Sequence, residues 1–428
     1  MKASYQITEY GSFIAEKEIP GYTPLPRHTF EQLEKFILTN KSKDADALEL
    51  MGISARKGAG KVITARNYVG VITMTDGTTI EILPKIYSPE KASEQRVKKL
   101  FADMLKTLRV SPYKTLQISN VNIETMNIFE IFIRMFVDEV FQIVKRGLKC
   151  DYITVENNEE IFRGKLLFSE HIKRNYCHKE RSYVEFDEYN SNRPENRLIK
   201  STLKYLYRQS SSVKNKSSIK TLLNEFCDVD VSLDHEGDFS KFIPGRNMAD
   251  YQTALLWCRV FLTGKSFTSF SGSEIAAALL FPMERLFESY AASKLKKALG
   301  TADYIVSVQD KSCYLFDEPG KKFLIKPDIA VKRKEDNAVF IMDTKWKLLS
   351  ENKANYGISQ SDMYQMYAYQ KKYNARNVTV LYPLTDLAVP DRQIMYKSGD
   401  GADIRVQFLD LFNIEKSLGN VIEKSFIS

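Results

Sequence analysis

The sequence predicts an α/β fold (α+β overall), with a C-terminal core of mixed sheet flanked by helices. An N-terminal α+β domain and a helical and hairpin-rich middle region come before it. The chain has 428 residues, which is too long for a single hydrophobic core. Its hydrophobic content of 43% is enough to form several cores. A helix, a hairpin, a helix and a strand follow one another between residues 281 and 385, an order typical of a helix-covered mixed sheet. We therefore place domains at 1–90, 91–270 and 271–428.

The first 90 residues combine strand and helix signals. Residues 5–10 alternate as a strand does, and Thr29 is a good N-cap for a helix that follows it. Asp76 and Gly77 stand between two β-rich runs, which predicts a tight hairpin turn. These signals together predict a small α+β domain.

Helical periodicity dominates residues 91–270, with strands and hairpins at 151–190. The predicted helices cover residues 97–108, 128–144, 196–207, 253–263 and 274–280. The second of these is apolar around most of its circumference, but four charged side chains interrupt it, so it predicts a buried helix rather than a membrane span.

Charge and cysteine usage limit the function classes. Lysine and arginine total 62 against 54 acidic residues, and this +8 balance favours a polyanionic partner without proving one. The five cysteines form no C-x-x-C pair, which argues against a disulfide framework and against a zinc site. Without a signal-like start or a long apolar stretch, we expect a cytoplasmic protein with no membrane partner.

Three further sequence patterns give only weak evidence of function. Residues 56–61 resemble a phosphate-binding loop, but Ala55 occupies a required glycine position and Val62 replaces the hydroxyl residue that would bind magnesium. A basic and aromatic stretch at 173–181 suits phosphate contact and base stacking, although a solvated hairpin face explains it slightly better. The four histidines show no metal-ligand spacing, so we assign them no catalysis.

The most informative stretch runs from residue 323 to residue 345. It predicts two apolar strands joined by a charged turn, with Asp328 closing the first strand and Asp343 and Lys345 near the end of the second. Because strand side chains alternate, Asp343 and Lys345 project together while Thr344 points away. Two acids and a lysine at one strand end suit a divalent cation and an activated water, which is the chemistry of a metal-dependent phosphodiesterase.

The same triplet has a simpler explanation, because Asp and Lys two residues apart on a strand commonly form a solvated ion pair. The run Val339–Met342 is continuously apolar, however, and predicts a strand buried on both faces. Such a strand delivers its terminal charges into a cleft, where they need a partner.

Two neighbouring helices add candidate site residues. Glu284 and Glu288 lie four apart on one helix face after Pro282, and either glutamate could complete the acidic cluster. After the hairpin, Gln365 and Tyr369 lie one turn apart on the same side of a second helix.

The ordered set Pro327-Asp328, Asp343-Thr344-Lys345 and Gln365-x-x-x-Tyr369 resembles the PD-(D/E)XK nuclease superfamily in its RecB-like form. The resemblance implies a C-terminal nuclease core that uses Mg²⁺, or Mn²⁺ in its place. It makes Asp328 and Asp343 metal ligands, with Glu288 as the candidate upstream acid. It makes Lys345 the residue that positions the attacking water. Gln365 and Tyr369 would line the DNA-facing side.

Three further segments narrow the family, namely residues 81–86 (EILPKI), 162–166 (FRGKL) and 194–198 (PENRL). With these segments the chain resembles the McrC family, the nuclease subunit of McrBC modification-dependent restriction systems. The resemblance implies cleavage of DNA carrying methylated cytosine, together with a hexameric AAA+ GTPase of the McrB type. It also implies that the N-terminal domain docks on that GTPase and stimulates it.

Two other functions stay open on the sequence alone. One is a non-catalytic activator or scaffold whose nuclease fold has decayed. The other is a PD-(D/E)XK restriction or repair nuclease that cuts unmodified DNA with a different motor.

Overall fold

The structure is a computed structural model, and it describes residues 3–39, 50–74, 76–86, 94–108, 127–242, 248–263, 275–300, 303–384 and 394–427. The described helices are α1 (Arg27–Thr39), α2 (Glu94–Leu105), α3 (Ile128–Arg146), α4 (Phe168–Asn175), α5 (Pro194–Gln209), α6 (Val213–Glu225), α7 (His235–Ser240), α8 (Ala249–Thr263), α9 (Met283–Ala298), α10 (Gln360–Tyr373) and α11 (Ile414–Ile422). A short 3₁₀ turn covers Ala354–Gly357, and a π-helical turn covers Glu423–Ile427. None of these helices is long and apolar enough to cross a lipid bilayer.

The strands are distributed along the whole described chain. They are β1 (Ser4–Thr8), β2 (Ser12–Ala15), β3 (Thr23–Leu25), β4 (Met51–Arg56), β5 (Gly60–Ala65), β6 (Tyr68–Met74), β7 (Thr79–Leu83), β8 (Asp151–Glu159), β9 (Lys165–Leu166), β10 (Ser182–Asn190), β11 (Ile275–Pro282), β12 (Tyr304–Val308), β13 (Tyr314–Phe316), β14 (Lys322–Leu324), β15 (Ile329–Arg333), β16 (Val339–Thr344), β17 (Asn377–Pro383), β18 (Ile394–Lys397) and β19 (Asp403–Leu409). Together with the helices they confirm the predicted mixed α/β class.

The chain divides into two compact units, the first containing Met1–Ile131 and Ser266–Ser428 and the second containing Phe132–Lys265. The first unit thus joins both ends of the chain, because the described part of the C-terminal half supplies a strand to an N-terminal sheet. The division into domains at 1–90, 91–270 and 271–428 that the sequence predicts stays a prediction.

The second unit combines a three-stranded sheet, ordered β8-β10-β9, with most of α3 and with helices α4 to α8. The buried Asn196 connects its parts, because its amide donates to the carbonyls of Lys149 at 3.0 Å and Ser191 at 2.8 Å. Its Oδ1 accepts from Tyr251 Oη at 2.9 Å. Asn196 belongs to the PENRL segment, so that segment has a structural role here.

The N-terminal part of the first unit contains two four-stranded sheets, ordered β3-β2-β5-β4 and β1-β7-β6-β11. The glycine-rich basic loop at 56–61 is the tight turn between β4 and β5, with positive φ angles at Gly58 and Gly60. The segment is therefore a hairpin turn, which agrees with the absence of the required glycine and hydroxyl residues of a phosphate-binding loop.

The predicted helix at 274–280 is wrong in its described part, because Ile275–Pro282 is strand β11, antiparallel to β6. An alanine-rich apolar run favours a helix by propensity, but a short apolar run equally suits a buried strand. Here the ladder with β6 decides the outcome. The strand leads directly into α9, since the Met283 amide donates to the Asn67 carbonyl at 2.9 Å.

The C-terminal core is a six-stranded mixed sheet, ordered β12-β15-β16-β17-β19-β18. Antiparallel pairs join β12, β15 and β16, while β16, β17 and β19 run parallel. Helix α10 connects β16 to β17, and its buried Met366 and Tyr369 pack in the apolar cluster that contains Ile341 and Val378. This arrangement places the carboxyl end of β16 beside α10.

Gly70 on β6 offers a test of the junction between β6 and β11. Its φ is +140°, and a Cβ atom there would lie 1.9 Å from the Leu279 carbonyl oxygen. We expect Gly70→Ala to lower the free energy of unfolding by about 3 kcal/mol or more, because backbone must move to make room. Urea denaturation of the full chain measures this loss.

Gly58→Ala is the matched control, because Gly58 also has a positive φ (+85°) but no atom within 4 Å of its Cβ position. That variant should lose only about 1 kcal/mol, the usual cost of a left-handed non-glycine residue. Equal losses in the two variants would contradict a tight β6–β11 contact.

Candidate active site at the end of strand β16

The candidate site is built on the antiparallel pair of β15 and β16. Asp328 does not close the first strand of the predicted hairpin, because it immediately precedes β15. In an antiparallel pair the start of one strand lies beside the end of the other, and Ile329 pairs with Met342. This register, rather than the predicted one, brings Asp328 next to the end of β16.

Thr344 fixes the Asp328 carboxylate. Its backbone N–H donates to Asp328 Oδ2 at 2.7 Å, and its hydroxyl donates to the same oxygen at 2.6 Å. The expectation that Thr344 points away from the acids therefore misses its role. The other oxygen, Oδ1, accepts no hydrogen bond from the described part of the chain, so it stays available to a ligand.

Asp343 and Lys345 form the ion pair that the sequence suggests, but it is not a solvated one. Lys345 Nζ lies 2.7 Å from Asp343 Oδ2, and the Asp343 side chain is 2% exposed. Apart from this ammonium, no donor among the described residues reaches Asp343 Oδ2. A buried carboxylate that shares a single ammonium with its neighbours is a place where a divalent cation can bind.

The charges of the site are strongly coupled. Burial raises the pKa of Asp343, the Asp328 charge raises it further, and Lys345 lowers it only in part. Burial also raises the pKa of Asp328, although its two bonds from Thr344 act in the opposite direction. Burial alone would lower the pKa of Lys345, but Asp343 outweighs this and the net shift is upward. Lys345 is therefore a permanent cation between two acids.

Helix α10 completes this side of the site. Lys345 Nζ donates to Gln365 Oε1 at 3.0 Å, and Gln365 Nε2 donates to Tyr369 Oη at 2.7 Å. The Tyr369 ring is buried, and its hydroxyl donates to the Lys326 carbonyl at 2.9 Å. The structure thus brings Gln365 and Tyr369 to Lys345 in one hydrogen-bonded series. Whether they face DNA stays a prediction.

Glu288 lies on α9, and its Oε1 accepts a hydrogen bond from Gln309 Nε2. The backbone N–H of Gln309 donates to the Asp328 carbonyl at 2.8 Å, so Gln309 connects Glu288 to the Asp328 segment. Glu284, the other candidate, accepts from Asn67 Nδ2 at 3.3 Å instead. Its contact lies toward the N-terminal sheet.

The described residues include no group of three or more His, Cys, Asp or Glu side chains placed to hold a metal. A two-carboxylate site still fits Mg²⁺, which commonly uses one or two protein carboxylates and fills its other positions with water and phosphate oxygens. The Asp328 and Asp343 carboxylates would supply its protein ligands. Glu288 as a third ligand stays a prediction.

Sequence reasoning missed three residues around the site, namely Gln309, Glu9 and Trp346. Trp346 follows Lys345, packs its ring 5.4 Å from that of Phe287, and donates from Nε1 to Glu9 Oε1 at 3.0 Å. The Lys85 backbone N–H donates to Glu9 Oε2 at 2.9 Å. Only the apolar ring and the isolated glutamate were visible in the sequence, and no spacing rule connects residues 337 positions apart.

The fold and the site together define a PD-(D/E)XK-type core, in which two acids and a lysine meet at the end of a buried central strand. A family profile described as "McrBC 5-methylcytosine restriction system component" matches residues 63–383. The chain belongs to this McrBC family.

Two comparisons agree with the family. The chain is 24% identical over 307 residues to the Type IV methyl-directed restriction enzyme EcoKMcrBC of Escherichia coli (strain K12), covering 64% of this chain and 83% of that protein. A chain in a solved tetradecameric assembly of Thermococcus gammatolerans McrB AAA+ hexamers with bound McrC has a similar fold, with a TM-score of 0.67 and 19% identity. That match covers 98% of this chain and all of the other.

Glu9 gives a pH prediction. Burial raises its pKa from 4.5 to about 7, against the lowering effect of Lys85 and Trp346. Between these values the folded protein retains a proton that the unfolded chain has released, so stability falls as pH rises. Glu9 should account for a loss of up to about 3 kcal/mol across this window.

Glu9→Gln removes this titration. Measured by urea unfolding at pH 5 and pH 7.5, the wild type should lose more stability than the variant on going to the higher pH. Glu18→Gln, at an exposed position of the same N-terminal segment, should follow the wild-type profile. A wild-type minus Glu9→Gln difference that is the same at both pH values would contradict the raised pKa.

Proposed function

We propose that this chain is the Mg²⁺-dependent DNA endonuclease subunit of a McrBC-type restriction system, and that it also activates a partner AAA+ GTPase. The observation that carries the proposal is the cluster of Asp328, Asp343 and Lys345 at the end of β16, with Gln365 hydrogen-bonded to the lysine. Family membership adds the restriction context.

In this proposal the Asp328 and Asp343 carboxylates would hold the metal, while Thr344 keeps the Asp328 carboxylate oriented. When bound, Mg²⁺ or Mn²⁺ would lower the pKa of a water ligand and neutralise charge on the scissile phosphate. Lys345 adds a fixed positive charge at the phosphate and orients the attacking water. Gln365 limits the conformations of Lys345 by accepting one of its N–H bonds.

Cleavage should depend on Asp343. Asp343→Asn keeps the shape of the side chain but removes the negative charge that would attract the cation, so we expect at least a 100-fold loss of cleavage. Mg²⁺-dependent nicking of plasmid DNA, with and without the partner GTPase, measures it. Assembly with the partner and GTP turnover should be unchanged.

Asp336→Asn is the matched control, because Asp336 lies in the turn of the same β15–β16 hairpin and pairs with Arg333 outside the site. It should cut at the wild-type rate. Cleavage at the wild-type rate by Asp343→Asn would contradict the assignment of the active site to Asp328, Asp343 and Lys345. It would favour another nuclease centre. A wild-type protein that activates the GTPase but never nicks DNA would instead support the non-catalytic scaffold.

The modification dependence is proposed from the family and from the relative described as methyl-directed. Plasmids with and without methylated cytosine, compared in the same assay, test it. Equal cutting of both plasmids would favour a nuclease for unmodified DNA.

The partner is proposed from the solved assembly, in which McrC is bound to McrB AAA+ hexamers. The second unit carries a set of exposed apolar side chains that suits such a contact. They lie on or beside β8, α4 and β10, and they are Tyr152, Ile161, Phe162, Phe168, Ile172, Tyr176 and Tyr189. Ile161 and Tyr176 are about four-fifths exposed, at 78% and 81%.

The double variant Ile161→Ser/Phe162→Ser should weaken the complex with the partner GTPase by 10-fold or more, because aromatic and aliphatic anchors dominate binding energies. Size-exclusion chromatography and GTPase stimulation measure the loss. Tyr10→Ser/Leu38→Ser is the counterpart in the predicted docking domain at 1–90, where both side chains are about half exposed. A loss confined to this second variant would place docking in the N-terminal domain.

A further inference from the structure

Strands β13 and β14 form a separate two-stranded sheet outside the six-stranded core sheet. We call residues 314–324 the aromatic hairpin, because Phe316 and Phe323 are 53% and 72% exposed. Their ring centroids lie 5.9 Å apart in an edge-to-face arrangement. Two adjacent phenylalanines left in solvent, rather than packed into the nearby core, are an unusual use of apolar surface.

Helix α10 holds this hairpin in place. Lys372 Nζ pairs with Asp317 Oδ2 at 3.1 Å, and Tyr373 Oη donates to Asp310 Oδ1 at 3.0 Å. The Ile325 backbone N–H donates to the Cys313 carbonyl at 3.1 Å and closes the hairpin. An isolated hairpin is only marginally stable, so the contacts with α10, the helix that also carries Gln365, help to position it.

The hairpin leads directly into the candidate site. Only Ile325, Lys326 and Pro327 separate β14 from Asp328, which limits the distance from Leu324 to Asp328 to about 14 Å. Tyr369 Oη holds this linker through the Lys326 carbonyl at 2.9 Å. The chain connection therefore keeps strand β14 near Asp328.

Residues 310–326, the hairpin with its flanking residues, carry four lysines against three acids. Among the described residues, the four lysines of this segment have no carboxylate partner, whereas Asp317 is paired with Lys372 and Asp310 accepts hydrogen bonds from Ser312 and Tyr373. These lysines are Lys311, Lys321, Lys322 and Lys326. Glu318 is the one acid here with no pairing described. Aromatic rings among unpaired lysines suit single-stranded or distorted nucleic acid, in which phosphates meet the cations and bases stack on the rings.

The backbone conformation of Phe323 also favours a role for its exposed ring. Its φ is +56°, a left-handed conformation that costs a non-glycine residue about 1–2 kcal/mol. The ring that this conformation directs outward remains 72% exposed, so the cost is not offset by packing within the described chain.

We propose that the aromatic hairpin contacts the DNA beside the scissile phosphate, with Phe323 and Phe316 stacking on nucleotides and Lys321 and Lys322 contacting the backbone. The inference rests on the proposed function, since DNA is the substrate of the site to which the hairpin is joined. The continuity of chain from the rings to Asp328 favours DNA over a partner protein as the occupant.

Site-specific cross-linking tests the contact without requiring cleavage. The full chain, assembled with its partner GTPase, carries a photoreactive phenylalanine at position 323 or, as a control, at the half-exposed Ile305 of β12. Labelled methylated duplex DNA should cross-link through position 323 and not through position 305. Cross-linking through position 323 to the partner protein alone, or to nothing, would overturn the proposal.

Substitution tests the energetic role. Phe316→Ala/Phe323→Ala should weaken DNA binding about 10-fold or more, since each base stacked on an aromatic ring contributes that order of affinity. Lys321→Gln/Lys322→Gln leaves both phenylalanine rings in place, and it should reduce the salt dependence of binding by about two ion releases. Ile305→Ala should change neither quantity. Wild-type affinity and salt dependence in both hairpin variants would overturn the proposal.

These outcomes also separate the hairpin from the proposed function. If the wild type cuts DNA but the hairpin variants bind and cut normally, the nuclease assignment stands and the hairpin assignment fails. If the wild type never cuts but position 323 still cross-links DNA, the hairpin is a DNA contact on a chain without nuclease activity.

Discussion

The two hydrogen bonds from Thr344 to Asp328 Oδ2 are the interaction on which the candidate site depends. They join the residue before β15 to the last residue of β16. They therefore hold Asp328 beside Asp343 at the buried end of two inner strands of the sheet. Burial of two carboxylates is costly unless donors or cations compensate for it. Thr344 supplies the donors for Asp328, whereas Asp343 has only the shared ammonium of Lys345. The site is thus left with more negative charge than its own residues neutralise.

The N-terminal sheets are joined to this site physically and not only by sequence. Strand β11 completes the β1-β7-β6 sheet and continues into α9, the helix that carries Glu288. The Glu9 carboxylate meets the indole of Trp346, the residue next to Lys345. A change in the N-terminal sheets therefore has two structural routes to the site, one through the start of α9 and one through Trp346.

The sequence was most informative where chemistry and periodicity coincide. Asp343 and Lys345 follow a run of buried residues, and residues 378–383 and 404–411 also predict strands, which the structure places at Asn377–Pro383 and Asp403–Leu409. The edge strands β12 and β18 were missed, because partly exposed strands lack continuous apolar runs. The helix predicted at 274–280 failed because pairing with β6 overrides alanine propensity. No pattern marks Gln309, whose importance comes from contacts with Glu288 and with the Asp328 backbone.

Neighbouring side chains hold the candidate residues in place. Thr344 donates twice to Asp328 Oδ2 and leaves Oδ1 without a donor among the described residues, and the Lys345 ammonium is shared between Gln365 and Asp343. Tyr369 supports Gln365 and, through the Lys326 carbonyl, the linker to the aromatic hairpin. Helix α10 therefore holds both the lysine of the site and the segment that presents the exposed rings. A rotation of α10 would move these two elements together, so the positions of the aromatic hairpin and of Lys345 are coupled through a single helix.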